Sequence, residues 1–268
     1  MSQTRSAAPS TRPPTTTIPP DRPDLRPLVV FAAVALGVGG PLLALSTLVE
    51  PGAPFILAAV LAGLAVPALV LTHHDTGWKG VRALLRDCLR MPRAWWWLPV
   101  AGFALPCLAW TTAAALGGAQ PLTWSLVGAY VADLIIGAVV INIWEEMAWT
   151  GFAQRRAMAR WGTTGGSLVT AVFFTGIHLP LAYDGVHSAA QAAANVLLIA
   201  GVATGLRLLI GRVDAWTGRS LLTIGVLHSS FNATETLLRP DYDWVRIVLT
   251  IAVAVVLTAT ARRPDPTV

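Results

Sequence analysis

Long apolar runs separated by short polar stretches occupy the chain from about residue 28 onward. The pattern divides into eight blocks, each close to the roughly 20 residues that an α-helix needs to cross a lipid bilayer. Their approximate limits are 28–49, 54–72, 94–116, 122–152, 165–182, 188–210, 220–237 and 245–261. The sequence therefore predicts an all-α, polytopic membrane protein with about eight transmembrane helices.

Three parts of the chain depart from this pattern. Residues 1–27 are rich in Pro, Thr, Ser and Arg, and they cannot bury enough apolar surface to balance their ordering entropy, which predicts a disordered cytosolic tail. Residues 263–268 form a second short cytosolic tail, so the transmembrane domain is expected over 28–262. Within it, residues 77–93 predict an amphipathic helix on the membrane surface, with apolar positions at helical spacing: Val81, Leu84, Leu85, Cys88 and Leu89.

Composition and charge narrow the class of protein. Only 12% of the residues are charged and 54% are hydrophobic, whereas a soluble domain carries about 25% charged residues. This excludes an ordinary cytosolic enzyme, and the basic residues lie between apolar blocks rather than in one patch, so no nucleic-acid partner is expected. With eight spans, seventeen of the 19 basic residues fall on the side of the N-terminus. Basic residues gather in cytoplasmic loops, which predicts a multi-pass protein of the plasma membrane with both termini cytosolic.

Ionisable and amide side chains occur inside the predicted spans, where a charge costs about 2.5–3.5 kcal/mol on insertion scales. Most of them lie in the fourth, fifth and seventh blocks. His228 and Asn232 are one helical turn apart on one face, and Glu145 and Glu146 point about 100° apart around their helix. The polar residues inside the spans are Asp133, Asn142, Glu145, Glu146, His178, Asn195, His228, Asn232 and Glu235. The candidate site residues among them are Glu145, Glu146, His178, His228 and Asn232. We expect a cluster of two carboxylates and two imidazoles at mid-membrane, in a cavity open to the cytosol.

Such a cluster supports three kinds of chemistry. A glutamate beside a histidine can hold a water molecule and remove its proton, while a second histidine or an asparagine donates to a developing oxyanion. Two histidines and a glutamate can also bind zinc with one position open for water. An ion or proton pathway would use similar residues without catalysing a reaction.

Three short motifs carry a resemblance to a known family. They are Glu145–Gly151 (EEMAWTG), Phe174–His178 (FTGIH) and His228–Asn232 (HSSFN). In this order they resemble the EExxxR(G), FxxxH and HxxxN/D motifs of the CPBP family, also called Abi or type II CAAX prenyl endopeptidase-like intramembrane proteases. The resemblance covers about residues 122–237, and it implies a CPBP-type protease core of transmembrane helices.

The resemblance also implies roles for the motif residues. Glu145 would activate the attacking water with the help of His178, His228 and Asn232 would stabilise the oxyanion, and Glu146 would support the site. The family implies a glutamic-type endopeptidase, historically classed as a metalloprotease. No cofactor is expected, and if zinc is bound, its ligands would be Glu145, His178 and His228. The implied partners are the lipid bilayer and a membrane-associated peptide or protein substrate, lipidated ones included.

One position departs from the family motif. Thr150 stands where the pattern has arginine, and threonine cannot replace a permanently charged, forked donor. Arg155 and Arg156 are more than one helical turn further along the chain. Two alternatives therefore stay open: a catalytically degenerate member that acts as a membrane scaffold or as an immunity or regulatory protein, and, less favoured, a transporter.

Overall fold

The computed structural model describes residues 24–260, so the two expected tails lie outside the described residues except for 24–27, where the first helix begins. The described residues form helices without a β-strand. The helices are α1 (Arg26–Leu48), α2 (Ala53–Cys88), α3 (Trp97–Ala115), α4 (Trp124–Tyr183), α5 (Ala189–Trp216), α6 (Leu221–Ala233) and α7 (Pro240–Thr260). A 3-10 turn, Thr234–Leu237, extends α6.

Six of these helices are long and apolar enough to cross a membrane, which confirms an all-α, polytopic protein. The 60-residue α4 is broken at Gly162, whose φ of 70° and ψ of 173° are not helical. A β-carbon on Gly166 would lie only 2.2 Å from the backbone nitrogen of Met158, so the two arms of α4, 124–161 and 163–183, fold tightly onto each other. The 13-residue α6 is shorter than a span, and the expected number of eight helices stays a prediction.

The segment predicted as an amphipathic helix continues α2 beyond a break at Gly77, where φ is 64°. Val81, Leu84 and Cys88 are buried, and the last two pack with Met147 and Leu221 in the bundle. Leu85 and Leu89 are 37% and 77% exposed. The helix therefore binds the bundle through only part of its predicted apolar face.

The centre of the bundle is α6. Ten of its 13 residues are buried, as expected for a helix surrounded by protein on all sides. It packs on α5 and α7 through a cluster that includes Leu206, Ile224 and Ala254. Beside it, Phe31 and Trp149 join α1 to α4 in edge-to-face contact, with ring centroids 5.3 Å apart. These contacts place α4, α5 and α6 side by side at the middle of the molecule.

An ion-pair network closes one end of this bundle. Arg155 of α4 donates to both carboxylate oxygens of Asp214, at 3.0 and 2.8 Å, and to Asp87 of α2 at 2.8 Å. Arg155 also donates to the carbonyl oxygen of Arg219, between α5 and α6. We call this the arginine-rich end; the opposite end carries the connections 49–52, 184–188 and 238–239.

Candidate active site

Glu145 and Glu146 lie on one α-helical turn of α4, Ile143–Glu146. Wider π-helical stretches, Gly137–Asn142 and Met147–Gln154, flank this turn on both sides. Such bulges are frequent at functional sites because they redirect side chains relative to a regular helix. Both carboxylates are buried, Glu145 at 6% exposure and Glu146 at 0%.

The carboxylate of Glu146 is held by four donors. Arg207 of α5 donates through Nη1 to Oε2 at 3.0 Å and through Nη2 to Oε1. Thr150 donates its hydroxyl to Oε2 at 2.5 Å, and Nδ1 of His228 lies 2.7 Å from Oε1. Because an ionised carboxylate only accepts, Nδ1 of His228 must be the donor, and its Nε2 remains free for other chemistry.

Glu145 has a different environment. Its Oε2 accepts a hydrogen bond from Nδ2 of Asn142 at 3.3 Å. Nε2 of His178 lies 3.9 Å from Oε1, and Nδ1 of His228 lies 3.8 Å from Oε2. Both separations are too long for direct hydrogen bonds. Because Nδ1–H of His228 is already donated to Glu146, a bridging water is expected only between Glu145 and Nε2 of His178.

Phe174 organises the histidines from the second arm of α4. Its carbonyl oxygen lies 2.7 Å from Nδ1 of His178, which must donate to it, so that Nε2 faces Glu145. The Phe174 ring lies 4.3 Å from the His178 ring and 5.9 Å from the His228 ring, between centroids. The guanidinium carbon of Arg207 lies 4.6 Å from the same ring centroid. One aromatic ring therefore touches three of the polar groups of the site.

A cavity of about 410 Å³ adjoins this cluster. Its polar wall includes Glu145, His178, His228 and Asn232, whereas Glu146 is not part of the lining. Asn232 lies one turn beyond His228 on α6 and is exposed. The structure thus brings together all five residues expected to be catalytic, and it separates them into four that face the cavity and one, Glu146, behind them.

The cavity extends away from the arginine-rich end. Its lining reaches Leu43, Ile56, Leu181 and Asp243, which lie near the connections of the opposite end. The tight fold at Gly162 and the Arg155 network fill the arginine-rich end. The cavity therefore leads toward the end opposite the arginine-rich end. The side of the membrane that each end faces stays a prediction.

Arg207 was not among the candidate site residues, because it was counted only as one of the basic residues on the side of the N-terminus. The side chain is fully buried beside Glu146. A usable signal was present, since residue 207 falls inside the sixth apolar block, 188–210. An ionisable residue within a span is expected to pair with an opposite charge on a neighbouring helix.

Glu145, His178 and His228, the zinc ligands that the resemblance implies, are not arranged as a metal site in this structure. Within residues 24–260, no group of three or more His, Cys, Asp and Glu side chains is arranged to hold a metal ion. We therefore derive no reaction step through a metal.

Comparison with known proteins gives one family. Residues 123–234 match the family model described as type II CAAX prenyl endopeptidase Rce1-like. No curated protein shows a significant sequence match to the chain. The matched region contains all three motifs, and it confirms the resemblance on which the sequence analysis relied.

Proposed function

We propose that this protein, whose residues 123–234 match the family model of type II CAAX prenyl endopeptidases, Rce1-like, is an intramembrane endopeptidase of the glutamic type. The observation that carries this proposal is the pair formed by Glu145 and His178, which face the same cavity 3.9 Å apart. Both are in position to act on one water molecule.

The proposed first step is activation of that water. Neutral His178, with Nδ1–H donated to the Phe174 carbonyl, presents a lone pair on Nε2. The Glu145 carboxylate is also an acceptor, so a water between them donates one hydrogen to each and directs its own lone pair toward the cavity. Glu145 then accepts the proton as the water oxygen attacks the peptide carbonyl carbon. General-base catalysis of this kind contributes about 10²–10⁴-fold.

His228 and Asn232 are the proposed oxyanion donors. Glu146 accepts a hydrogen bond from Nδ1–H of His228 and so orients the ring. In the proposed step this ring is an imidazolium whose Nε2–H donates to the oxyanion. Asn232 adds an amide donor one turn further along α6. When the tetrahedral intermediate collapses, the C–N bond breaks and the leaving amine takes the proton from Glu145.

The proposed substrate is a membrane-associated peptide or protein, lipidated ones included. Most of the cavity wall is apolar and comes from α1, α2 and α5, with side chains that include Leu43, Val60, Leu64, Leu198, Ile199 and Val202. An apolar wall with a few convergent polar groups is typical of a ligand site. It suits an apolar peptide segment or a prenyl chain next to the scissile bond.

We propose that the substrate enters from the non-cytosolic side. The positive-inside rule assigns the arginine-rich end to the cytosol, and the cavity leads to the other end. The test uses Asn232→Cys in a Cys107→Ser background, since Cys107 is exposed and Cys88 is buried. We expect a membrane-impermeant maleimide to label this variant on intact cells and to label Arg82→Cys, at an exposed position near the arginine-rich end, only after permeabilisation. The reverse pattern would contradict the assignment.

The proposed activity is tested by peptide cleavage with purified, detergent-solubilised protein and a quenched peptide library that includes prenylated peptides. Glu145→Gln should lower kcat about 10²–10⁴-fold. Glu50→Gln is the matched control, because Glu50 is exposed between α1 and α2, and it should leave kcat unchanged. Cleavage that chelators do not inhibit is expected. The proposal is wrong if the wild type cleaves no peptide, or if Glu145→Gln cleaves as fast as the wild type.

A further inference from the structure

Thr150 carries no positive charge, but the guanidinium of Arg207 on α5 donates to the Glu146 carboxylate, which Thr150 also contacts. We propose that Arg207 takes the place of the motif arginine: it is a positioning residue that fixes Glu146 and, through Glu146, the ring of His228. This inference rests on the proposed function for its activity assay. The departure of the first motif from the family pattern is then a relocation of the arginine and not its loss.

The geometry around position 150 supports the exchange. Residue 150 lies one helical turn beyond Glu146, so an arginine there would reach the Glu146 carboxylate along the helix. In this chain the shorter Thr150 donates to Glu146 and accepts a hydrogen bond from Nη1 of Arg207 at 3.4 Å. The guanidinium from α5 therefore contacts both residues and lies where the motif side chain would have to lie.

Further contacts hold Arg207 in position. Its backbone carbonyl accepts a hydrogen bond from Nε2 of Gln154 at 2.8 Å, and the same Gln154 nitrogen lies 3.0 Å from the hydroxyl of Ser167. Gln154 and Ser167 belong to the two arms of α4, so α5 is fixed to both arms at this level. The ring of Phe174 covers the guanidinium on one face.

Among residues 24–260, Arg207 is the only arginine that forms an ion pair with Glu146. Arg155, the nearest arginine along the chain after the motif, is engaged by Asp87 and Asp214 at the arginine-rich end. Arg207 and Glu146 are both fully buried, and a buried charge is strongly destabilising when its partner is removed. Each member of the pair therefore needs the other to remain buried. Glu146 in turn orients the ring of His228 by accepting a hydrogen bond from its Nδ1 at 2.7 Å.

The test moves the arginine back to the motif position. Arg207→Leu should lower kcat about 10–100-fold with little change in KM, since removing a partner of a catalytic ligand typically has this effect. Thr150→Arg alone should lower kcat by about 10-fold, because it buries a second guanidinium beside Arg207. The double variant Thr150→Arg/Arg207→Leu should recover to within about 5-fold of the wild type. Arg212→Leu, on the same helix with an exposed side-chain contact, is the control and should be unchanged.

Recovery in the double variant is the result that a merely structural role of Arg207 does not give. Arg207→Leu that folds and cleaves at the wild-type rate overturns the inference. If Arg207→Leu does not fold, the double variant decides: folded and active supports the inference, and unfolded or inactive overturns it. Folding is followed by the fluorescence of the 11 tryptophans.

A failure of the proposed function has a different signature. In that case the wild type cleaves no peptide, and the pairing is tested by a double-mutant cycle of Glu146→Gln and Arg207→Leu on the free energy of unfolding. A clear coupling between the two positions supports the role of Arg207 in holding Glu146, and additive effects overturn it.

Discussion

Glu145 and Glu146 are the same residue type on the same helical turn, yet their surroundings differ in almost every respect. Glu146 is fully buried and accepts from Arg207, Thr150 and His228. Glu145 borders the cavity, and it meets two imidazole nitrogens only at 3.8 and 3.9 Å. A carboxylate saturated with fixed donors orients its neighbours, and a carboxylate with room for water is free to exchange a proton.

The difference arises from the helix geometry. Neighbouring residues point about 100° apart, so one carboxylate of α4 is directed between α5 and α6 while the other faces the cavity. The bundle supplies Arg207 and Nδ1–H of His228 on the first side, and Nε2 of His178 on the second. The comparison predicts that the same substitution mainly lowers stability at Glu146 and mainly lowers kcat at Glu145.

The largest expected effect is a difference in the free energy of unfolding between the glutamine variants of the two glutamates. Glu146→Gln leaves the buried Arg207 without its counterion, and breaking a buried pair in this way costs about 3–5 kcal/mol. Glu145→Gln removes one weak hydrogen bond with Asn142, so we expect it to change the free energy of unfolding by no more than about 1 kcal/mol. Denaturation in detergent micelles, followed by tryptophan fluorescence, measures both. Equal losses of stability would contradict the division of roles.

The second expected effect extends the comparison to the histidines. His228 is bound to the Glu146 carboxylate, whereas His178 is bound to a carbonyl of its own helix. Glutamine at either position should lower kcat about 10²-fold or more. A hydrogen bond to a charged group contributes about 1.5–3 kcal/mol and a neutral one about 1 kcal/mol, so His228→Gln should also lose more stability. Parallel measurements of kcat and unfolding free energy check this, and a less stable His178→Gln would contradict it.

The motif spacing predicted which side chains of α4 and α6 meet, and the structure brings Glu145, His178, His228 and Asn232 to one cavity. The spacing could not reveal Arg207, because its partner Glu146 lies 61 residues away on another helix and only packing joins them. The direction of the cavity could not be predicted from spacing for the same reason. It depends on which end of the bundle is filled, and here the Arg155 network fills the arginine-rich end.

The apolar pattern located the helices well but not their breaks. Gly77 and Gly162 adopt positive φ values, and each changes the direction of a helix. The apolar pattern does not show these breaks or gives their positions only approximately. Leu89 was expected on the apolar face of the surface helix, yet the helix ends at Cys88. The side chain after the end leaves the face, which explains its exposure.

The smallest expected effect concerns the one short-range contact of Glu145. Asn142 donates to its Oε2 at 3.3 Å, and such a hydrogen bond contributes about 1 kcal/mol, or roughly fivefold in rate if it acts on the base in the transition state. Asn142→Ala should therefore lower kcat by about fivefold. Asn195→Ala is the matched control, because Asn195 donates to the carbonyl oxygen of Ala182 at 3.1 Å, away from the glutamates. If both variants cleave at the wild-type rate, Glu145 is positioned by water and the histidines alone, and its contrast with Glu146 is greater than the distances indicate.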